Sequence, residues 1–358
     1  MSTKITKQQA QAMEKFLDAY LKECLITVVI PVYKRAKELR QALSSLVAQT
    51  NDHFIVAVVD DHSPNEDEIR AVCDEFAGYL FIRYIRKAKN EGCGPARQVG
   101  IDTCTTPYVA FLDDDDTYGP NTINVWDSII RDNLRQHAKP IDILCNRFVY
   151  EEKTDRPSVP YAEPQTDQDI AAVIKDLEES SKERNRIYEF AEGGSFLCGK
   201  CYRMEYLANN YIQFHPELRR VEDTCFNIQA FSFNPNVTID DYVAYHWHNN
   251  PNGLHTEITY QDTILCVKYA ALNIYRGGRV LTSEPLARGL AMLYEGYFKY
   301  DDATTEENAA LLREIFDLLG ADYIDNKRVK RAIRGQITHH SMNFARWAKQ
   351  FLPNEVEE

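Results

Sequence analysis

No stretch of the 358-residue chain approaches the roughly 20 consecutive apolar residues that span a bilayer; runs such as Leu25 to Ile30 are far shorter, so any membrane contact is expected to be peripheral. A basic-then-apolar leader is missing, and the nine cysteines are an odd number, so reduced thiols in a cytoplasmic protein are expected. Basic residues are in the minority, 41 against 54 acidic ones. The resulting formal charge of −13 makes the average surface repel nucleic acid and anionic lipid at long range, although local patches can differ. Internal repeats are absent, and so is any G-x-x-x-x-G-K-[ST] phosphate loop. The nearest approach to a dinucleotide fingerprint, Gly92-Cys93-Gly94, has Arg97 where the third glycine belongs and does not follow the first strand, which argues against a dinucleotide-dependent dehydrogenase.

With 44% hydrophobic and 27% charged residues the chain can bury a sizeable core, and its length suits two units. Met13, Phe16, Leu17, Tyr20 and Leu21 lie at helical spacing and predict a helix over residues 1–24. Extended runs and helical patterns then alternate. Leu25 to Ile30, Phe54 to Val59, Leu80 to Ile85 and Tyr108 to Leu112 read as strands. Between them come a helix with Leu39, Leu43, Leu46 and Val47 on one face, a helix over Asp67 to Phe76, and one starting near Pro95. This βαβ rhythm predicts a mainly parallel sheet flanked by helices, with ligands beyond the carboxyl ends of the strands. Residues 151–186 turn polar and proline-bearing and read as an insertion. After Tyr260, Ile264, Val267, Ala271 and Ile274 share one helix face, and Leu312, Ile315, Phe316 and Leu319 another before Gly320, so residues 259–358 are expected to form a helical C-terminal domain capable of homo-oligomer formation.

Three acidic elements stand out. Asp113 to Asp116 follow an apolar strand directly, and four carboxylates in a row call for a cation; oxygen donors suit Mg²⁺ or Mn²⁺, which would neutralise a departing diphosphate. Taken alone, such a run is also an ordinary solvated acidic turn. Asp60 and Asp61 follow another strand, where a carboxylate can accept a hydrogen bond from a nucleobase N–H; Ser63 or Asn65 can cap the next helix. Glu222 and Asp223 have the composition of a helix N-terminal charge pair.

Taken in order, Ile30-Pro31-Val32-Tyr33, Leu46 to Thr50, Val59 to Ser63, Gly92 to Arg97 and the aspartate run resemble a family 2 glycosyltransferase of the GT-A fold, a Rossmann-like mixed sheet, from Ile26 to about His248. The resemblance implies a catalytic domain over 25–258, with a nucleotide-binding half at 25–120 and an acceptor half at 187–258. It implies an inverting transferase that moves a sugar from a nucleoside-diphosphate sugar, foremost a UDP-sugar, to an acceptor hydroxyl. On that pattern Pro31, Tyr33, Arg35, Asp61, Gly92, Arg97, Asp113 and Asp114 hold the donor, Asp115 and Asp116 the metal, and Asp223 beside Glu222 is the base. Gly193 to Phe196 and Arg203 to Glu205 resemble the acceptor-side segment. His248, in Tyr245-His246-Trp247-His248, stands where related enzymes add a metal ligand; histidines simply packed beside Trp247 are the other reading. The acceptor stays open among saccharide, lipid-linked, protein and modified nucleic acid, with the basic cluster Lys327 to Arg334 able to hold phosphate or to be a solvated face. Cys198 and Cys201, spaced C-x-x-C without a second pair, read as ordinary thiols. A sugar-nucleotide nucleotidyltransferase would share the sheet and the aspartates but needs a glycine-rich loop where Pro31 to Arg35 stand, and a non-catalytic nucleotide-sugar-binding or assembly protein would not need Asp115 and Asp223.

Overall fold

A computed structural model describes residues 20–151, 187–188, 196–248, 258–276, 284–336 and 344–352. The expected helix over 1–24 is therefore described only from Tyr20 to Glu23, and the expected insertion at 151–186 lies almost wholly outside the described residues.

The first half is four βα repeats. β1 (Ile26–Val32), β2 (Ile55–Asp60), β3 (Phe81–Arg86) and β4 (Tyr108–Phe111) pair in parallel in the spatial order β3-β2-β1-β4. Every residue of β1, β2 and β4 is buried, which is why these strands read as unbroken apolar runs instead of alternating ones. α1 (Ala36–Val47) buries Leu39, Ala42, Leu43 and Leu46, and α2 (Glu66–Phe76) buries Ile69, Val72, Cys73 and Phe76. Both stripes follow helical spacing, and at about 1.5–3 kcal/mol for each large apolar side chain they anchor the two helices on one sheet face. Asn65 occupies the N-cap position of α2, but its side-chain amide donates to the Lys34 carbonyl and to Glu68, so the expected side-chain cap is not made. α3 (Cys93–Asp102) lies on the opposite face. There Gly100 is obligatory: a Cβ at this position would stand 2.3 Å from Val29 Cγ1.

Beyond β4 the parallel character ends. The two-residue β5 (Thr117–Tyr118) leads to α4 (Thr122–Arg135), and β6 (Ile143–Glu151) carries β7 (Ile187–Tyr188) on one side. β8 (Lys200–Arg203) inserts antiparallel between β4 and β6, and β9 (Val237–His248) runs parallel to β6 with β5 antiparallel at its edge. The full order is β3-β2-β1-β4-β8-β6-β9-β5. Short helices α5 (Met204–Asn209) and α6 (Glu222–Ser232) follow β8.

The C-terminal part is helical, as expected: α7 (Tyr260–Arg276), α8 (Glu284–Tyr297), α9 (Glu306–Asp325), α10 (Lys327–Gln336) and α11 (Phe344–Ala348). Gly320 interrupts α9 with a positive φ of 74°, a conformation glycine adopts without steric cost. These helices share one continuous apolar core with α6 and the underside of the sheet, with Phe226, Tyr260, Leu290, Phe316 and Trp347 all fully buried in it.

Candidate active site

The strand order reverses between β1 and β4. At such a reversal an open α/β sheet forms its ligand crevice, beyond the carboxyl ends of the strands. The chain bends sharply there: Lys34 and His62, each two residues beyond its strand, hold φ of 67° and 64°. Side chains in that region cost strain, and strain persists where neighbours enforce it. The Lys34 N–H donates to Ser63 Oγ at 2.9 Å and so staples the two loops together.

Asp60 is fully buried. Burial disfavours its charge, but the Ser63 N–H, the Tyr84 hydroxyl and Arg86 donate to it and hold its carboxyl below the usual range. Asp61, expected to meet the nucleobase, organises the neighbouring loop. It accepts from Lys87 Nζ at 2.6 Å, from the Glu91 N–H at 3.1 Å and from the Gly92 N–H at 2.7 Å. Pro31 is buried within β1 opposite Val59, whereas Tyr33 lies exposed on the crevice rim under Lys34 Nζ.

Two arginines organise the acidic centre. Arg35, just past β1, crosses the reversal point and donates to Asp114 Oδ1 at 3.0 Å and Asp115 Oδ2 at 2.8 Å. Arg97, on α3 and only 5% exposed, donates to Asp113 Oδ1 at 2.5 Å and to Glu222 Oε1 at 2.6 Å. It stands over the Phe214 ring, and its Nε has no hydrogen-bond partner among the described residues. Gly92, with φ of 98°, turns the chain into α3, and a Cβ on Gly94 would come within 3.1 Å of Glu222 Cγ, so the glycines let α3 and α6 close on each other. Cys93 lies in the same cluster, its thiol pushed up to about 12 by burial.

The four aspartates have four environments. Asp113 pairs with Arg97. Asp114 is buried, and burial together with Asp115 and Asp113 pushes it up to about 8 despite Arg35. Asp115 faces Arg35. Asp116 is only 1% exposed; it accepts the Tyr245 hydroxyl on Oδ2 at 2.5 Å and the His248 N–H on Oδ1 at 2.8 Å, so both oxygens are engaged in tying this loop to β9. The His248 ring meets Thr117 Oγ1 through Nε2 at 3.0 Å.

Glu222 and Asp223 open α6. The preceding Val221 has φ of 53°, which a β-branched residue adopts only under constraint. Burial first, and then the Glu222 charge, raise Asp223 to about 7, with Arg97 opposing. A carboxylate near neutrality suits proton transfer.

Among the described residues no group of three or more His, Cys, Asp or Glu side chains is placed to hold a metal ion by itself. The residues still fit a divalent cation shared with a substrate. Mg²⁺ commonly takes one or two carboxylates and completes its shell with water and phosphate oxygens, and the Arg35 guanidinium already draws Asp114 and Asp115 around one positive charge. Two buried lysines escaped the sequence reading. Lys87 pairs with Asp61, and Lys200 lies at the start of β8; a lysine in sequence carries no sign that it will be buried. No helix among the described residues is long and apolar enough to cross a membrane.

Comparison with known proteins bears on the family and the fold. Residues 27–133 match the profile described as glycosyl transferase family 2. The uncharacterized glycosyltransferase EpsJ of Bacillus subtilis (strain 168) is 27% identical over 243 residues, 67% of this chain and 65% of that protein. The succinoglycan biosynthesis protein ExoW of Rhizobium meliloti is 40% identical over 115 residues, 30% of this chain and 34% of that one. The chain thus spans just under two thirds of the first of these relatives and about a third of the second. Among solved structures, S. aureus TarS residues 1–349 in complex with UDP-GlcNAc superposes with a TM-score of 0.60 at 19% identity, covering 91% of this chain and 87% of that one. The crevice at the strand reversal is therefore built on a mixed α/β sheet of the GT-A fold with a helical C-terminal region, and Arg35, Arg97 and Asp113 to Asp116 lie in the stretch that is similar to glycosyl transferase family 2.

Proposed function

We propose that this chain is an inverting glycosyltransferase that moves a sugar from a nucleoside-diphosphate sugar, foremost a UDP-sugar, to an acceptor hydroxyl. The observation that carries the reading is the pairing, across Arg97, of the strand-end aspartate cluster with Glu222 at the start of α6, next to Asp223, which burial raises to about 7. TarS, which shares the fold, has been solved with UDP and with UDP-GlcNAc, and this favours UDP as the nucleotide here.

In this mechanism Tyr33 and Asp61, with Pro31 behind them, border the nucleobase, and the loop from Gly92 to Arg97 borders the diphosphate. Asp115, with Asp114 beside it at Arg35, would hold the divalent cation, Mn²⁺ or Mg²⁺. When bound, that ion supplies Lewis-acid stabilisation to the leaving nucleoside diphosphate. Asp116 keeps the loop in place through Tyr245 and the His248 backbone. Asp223 removes the proton from the acceptor hydroxyl as its oxygen attacks the anomeric carbon, and the bond from that carbon to the phosphate oxygen breaks on the far side. One displacement inverts the configuration and leaves no covalent intermediate. Removal of the base typically costs about 10² to 10⁴ in rate. Asp223→Asn should therefore abolish most transfer while still binding donor in the presence of metal. A near-wild-type rate in this variant, with the fold intact by circular dichroism, would rule out Asp223 as the base.

A further inference from the structure

The acceptor half of the crevice carries an aromatic pair that donor chemistry does not use. Because β8 is antiparallel to β4 and to β6, while β9 is parallel to β6, the start of β8 and the end of β9 come to the same sheet edge as Asp113 to Asp116. Phe196 precedes β8 and Trp247 is the penultimate residue of β9, and their ring centroids lie 5.7 Å apart. Phe148, nearly buried on β6, lies 5.8 Å behind Phe196.

Phe196 is 37% exposed and yet firmly anchored. Its carbonyl accepts from Lys200 Nζ at 2.7 Å and from Asn227 Nδ2 at 2.9 Å, and Asn227 Oδ1 in turn accepts the Tyr202 hydroxyl at 2.7 Å. Lys200 is only 5% exposed. A buried ammonium and a buried amide thus fix the backbone under a ring that keeps part of its surface exposed. A surface phenylalanine with no task would need neither, since burying a cation is costly.

The pair is also linked through its neighbours to both groups of carboxylates. Asn227 is one helical turn beyond Asp223 on α6, so the Phe196 anchor sits about 6 Å along the helix from the base. On the other side, Trp247 falls between Tyr245 and His248, the two residues that hold Asp116. An acceptor must occupy the space between the aspartate loop and Asp223. The rings offer it an apolar, electron-rich face, which attracts polarised C–H groups such as those lining one face of a pyranose. The surrounding Asp113 to Asp116, Glu222 and Asp223 repel a phosphate-bearing polymer.

Resting on the transferase reading, we propose that Phe196 and Trp247 form the acceptor subsite and that the acceptor group is an uncharged sugar ring stacked on them, with its hydroxyl directed to Asp223. The chain supplies its own reporter. Of its three tryptophans, Trp126 and Trp347 are fully buried and Trp247 is half-exposed, so tryptophan emission senses ligands at this pair. The full chain should be titrated with methyl β-D-glucoside, methyl β-D-galactoside and methyl N-acetyl-β-D-glucosaminide, with the acyclic polyol sorbitol as control. A saturable change in emission with at least one pyranoside, absent with sorbitol and absent in Trp247→Phe, is the expected result. In transfer to the responding sugar, Phe196→Leu should raise KM about tenfold with a smaller effect on kcat. Emission unresponsive to all three pyranosides, or KM unaltered in Phe196→Leu, would overturn the subsite. A pyranoside response in a protein that neither hydrolyses nor transfers any nucleotide sugar would leave the subsite standing and remove the transferase reading instead.

Discussion

Transfer should accelerate with pH through about 7, because Asp223 must lose its own proton before it can accept one from the acceptor. The shift has identifiable sources: burial is the largest, the adjacent Glu222 charge adds to it, and Arg97 opposes both. A carboxyl titrating near 7 is about one tenth ionised at pH 6 and about nine tenths ionised at pH 8, so kcat/KM for the acceptor should rise about tenfold across that interval. An aspartate with its ordinary value near 3.9 would give a flat profile there. Glu222→Gln removes the neighbouring charge and loosens the hold on Arg97, and both changes should move the rising limb to lower pH. The same shift has a stability counterpart. Because the folded value is raised above the unfolded one, the contribution of Asp223 is fully present below the unfolded value near 4 and is lost as pH rises through about 7, so folding should weaken over that window. The assay is the initial rate at saturating donor from about pH 5.5 to 8.5, in wild type and in the Glu222→Gln variant. A profile flat across this range, or a limb unmoved by Glu222→Gln, would refute the reasoning.

Other consequences concern the supports of the site. Arg97→Met leaves Asp113 and Glu222 without their buried counter-ion and should destabilise the fold by about 3–5 kcal/mol in urea unfolding; a loss under about 1 kcal/mol would mean that the pair is solvated. Gly100→Ala drives a methyl into Val29 and should cost about 1–3 kcal/mol, read as a lower Tm, and an unchanged Tm would show that α3 can lift from the sheet. Arg35→Ala frees the carboxylates of Asp114 and Asp115 from a competing cation, so Mn²⁺ followed by electron paramagnetic resonance without nucleotide should bind more tightly than to wild type; weaker binding would make Arg35 a support for the metal ligands and not their competitor.

The parallel half was legible because strands buried on both faces are written as apolar runs, and because α1 and α2 carry their buried residues at unbroken helical spacing. The second half was not. β5 and β7 have two residues each, β8 has four, and the β6–β9 ladder shifts register twice between Asn146 and Phe148, so no periodic signal builds up. Within the site, carboxylates directly after apolar strands could be placed at the crevice from sequence alone, but their partners could not. Arg97 meets Glu222 across 125 residues, and whether an aspartate faces a cation or locks a loop, as Asp115 and Asp116 respectively do, depends on strands that arrive later in the chain. The folding of the C-terminal helices onto α6, which merges them with the core beneath the base, was equally invisible.

The most direct test of the transferase reading is calorimetric titration with UDP-, GDP-, CMP- and dTDP-sugars in Mn²⁺, Mg²⁺ or EDTA, comparing wild type with Asp115→Asn. The account predicts selective binding of a UDP-sugar that requires the divalent ion and is lost in EDTA and in Asp115→Asn. Binding that is undiminished in EDTA and in the variant, or no nucleotide-sugar binding under any of these conditions, would contradict it.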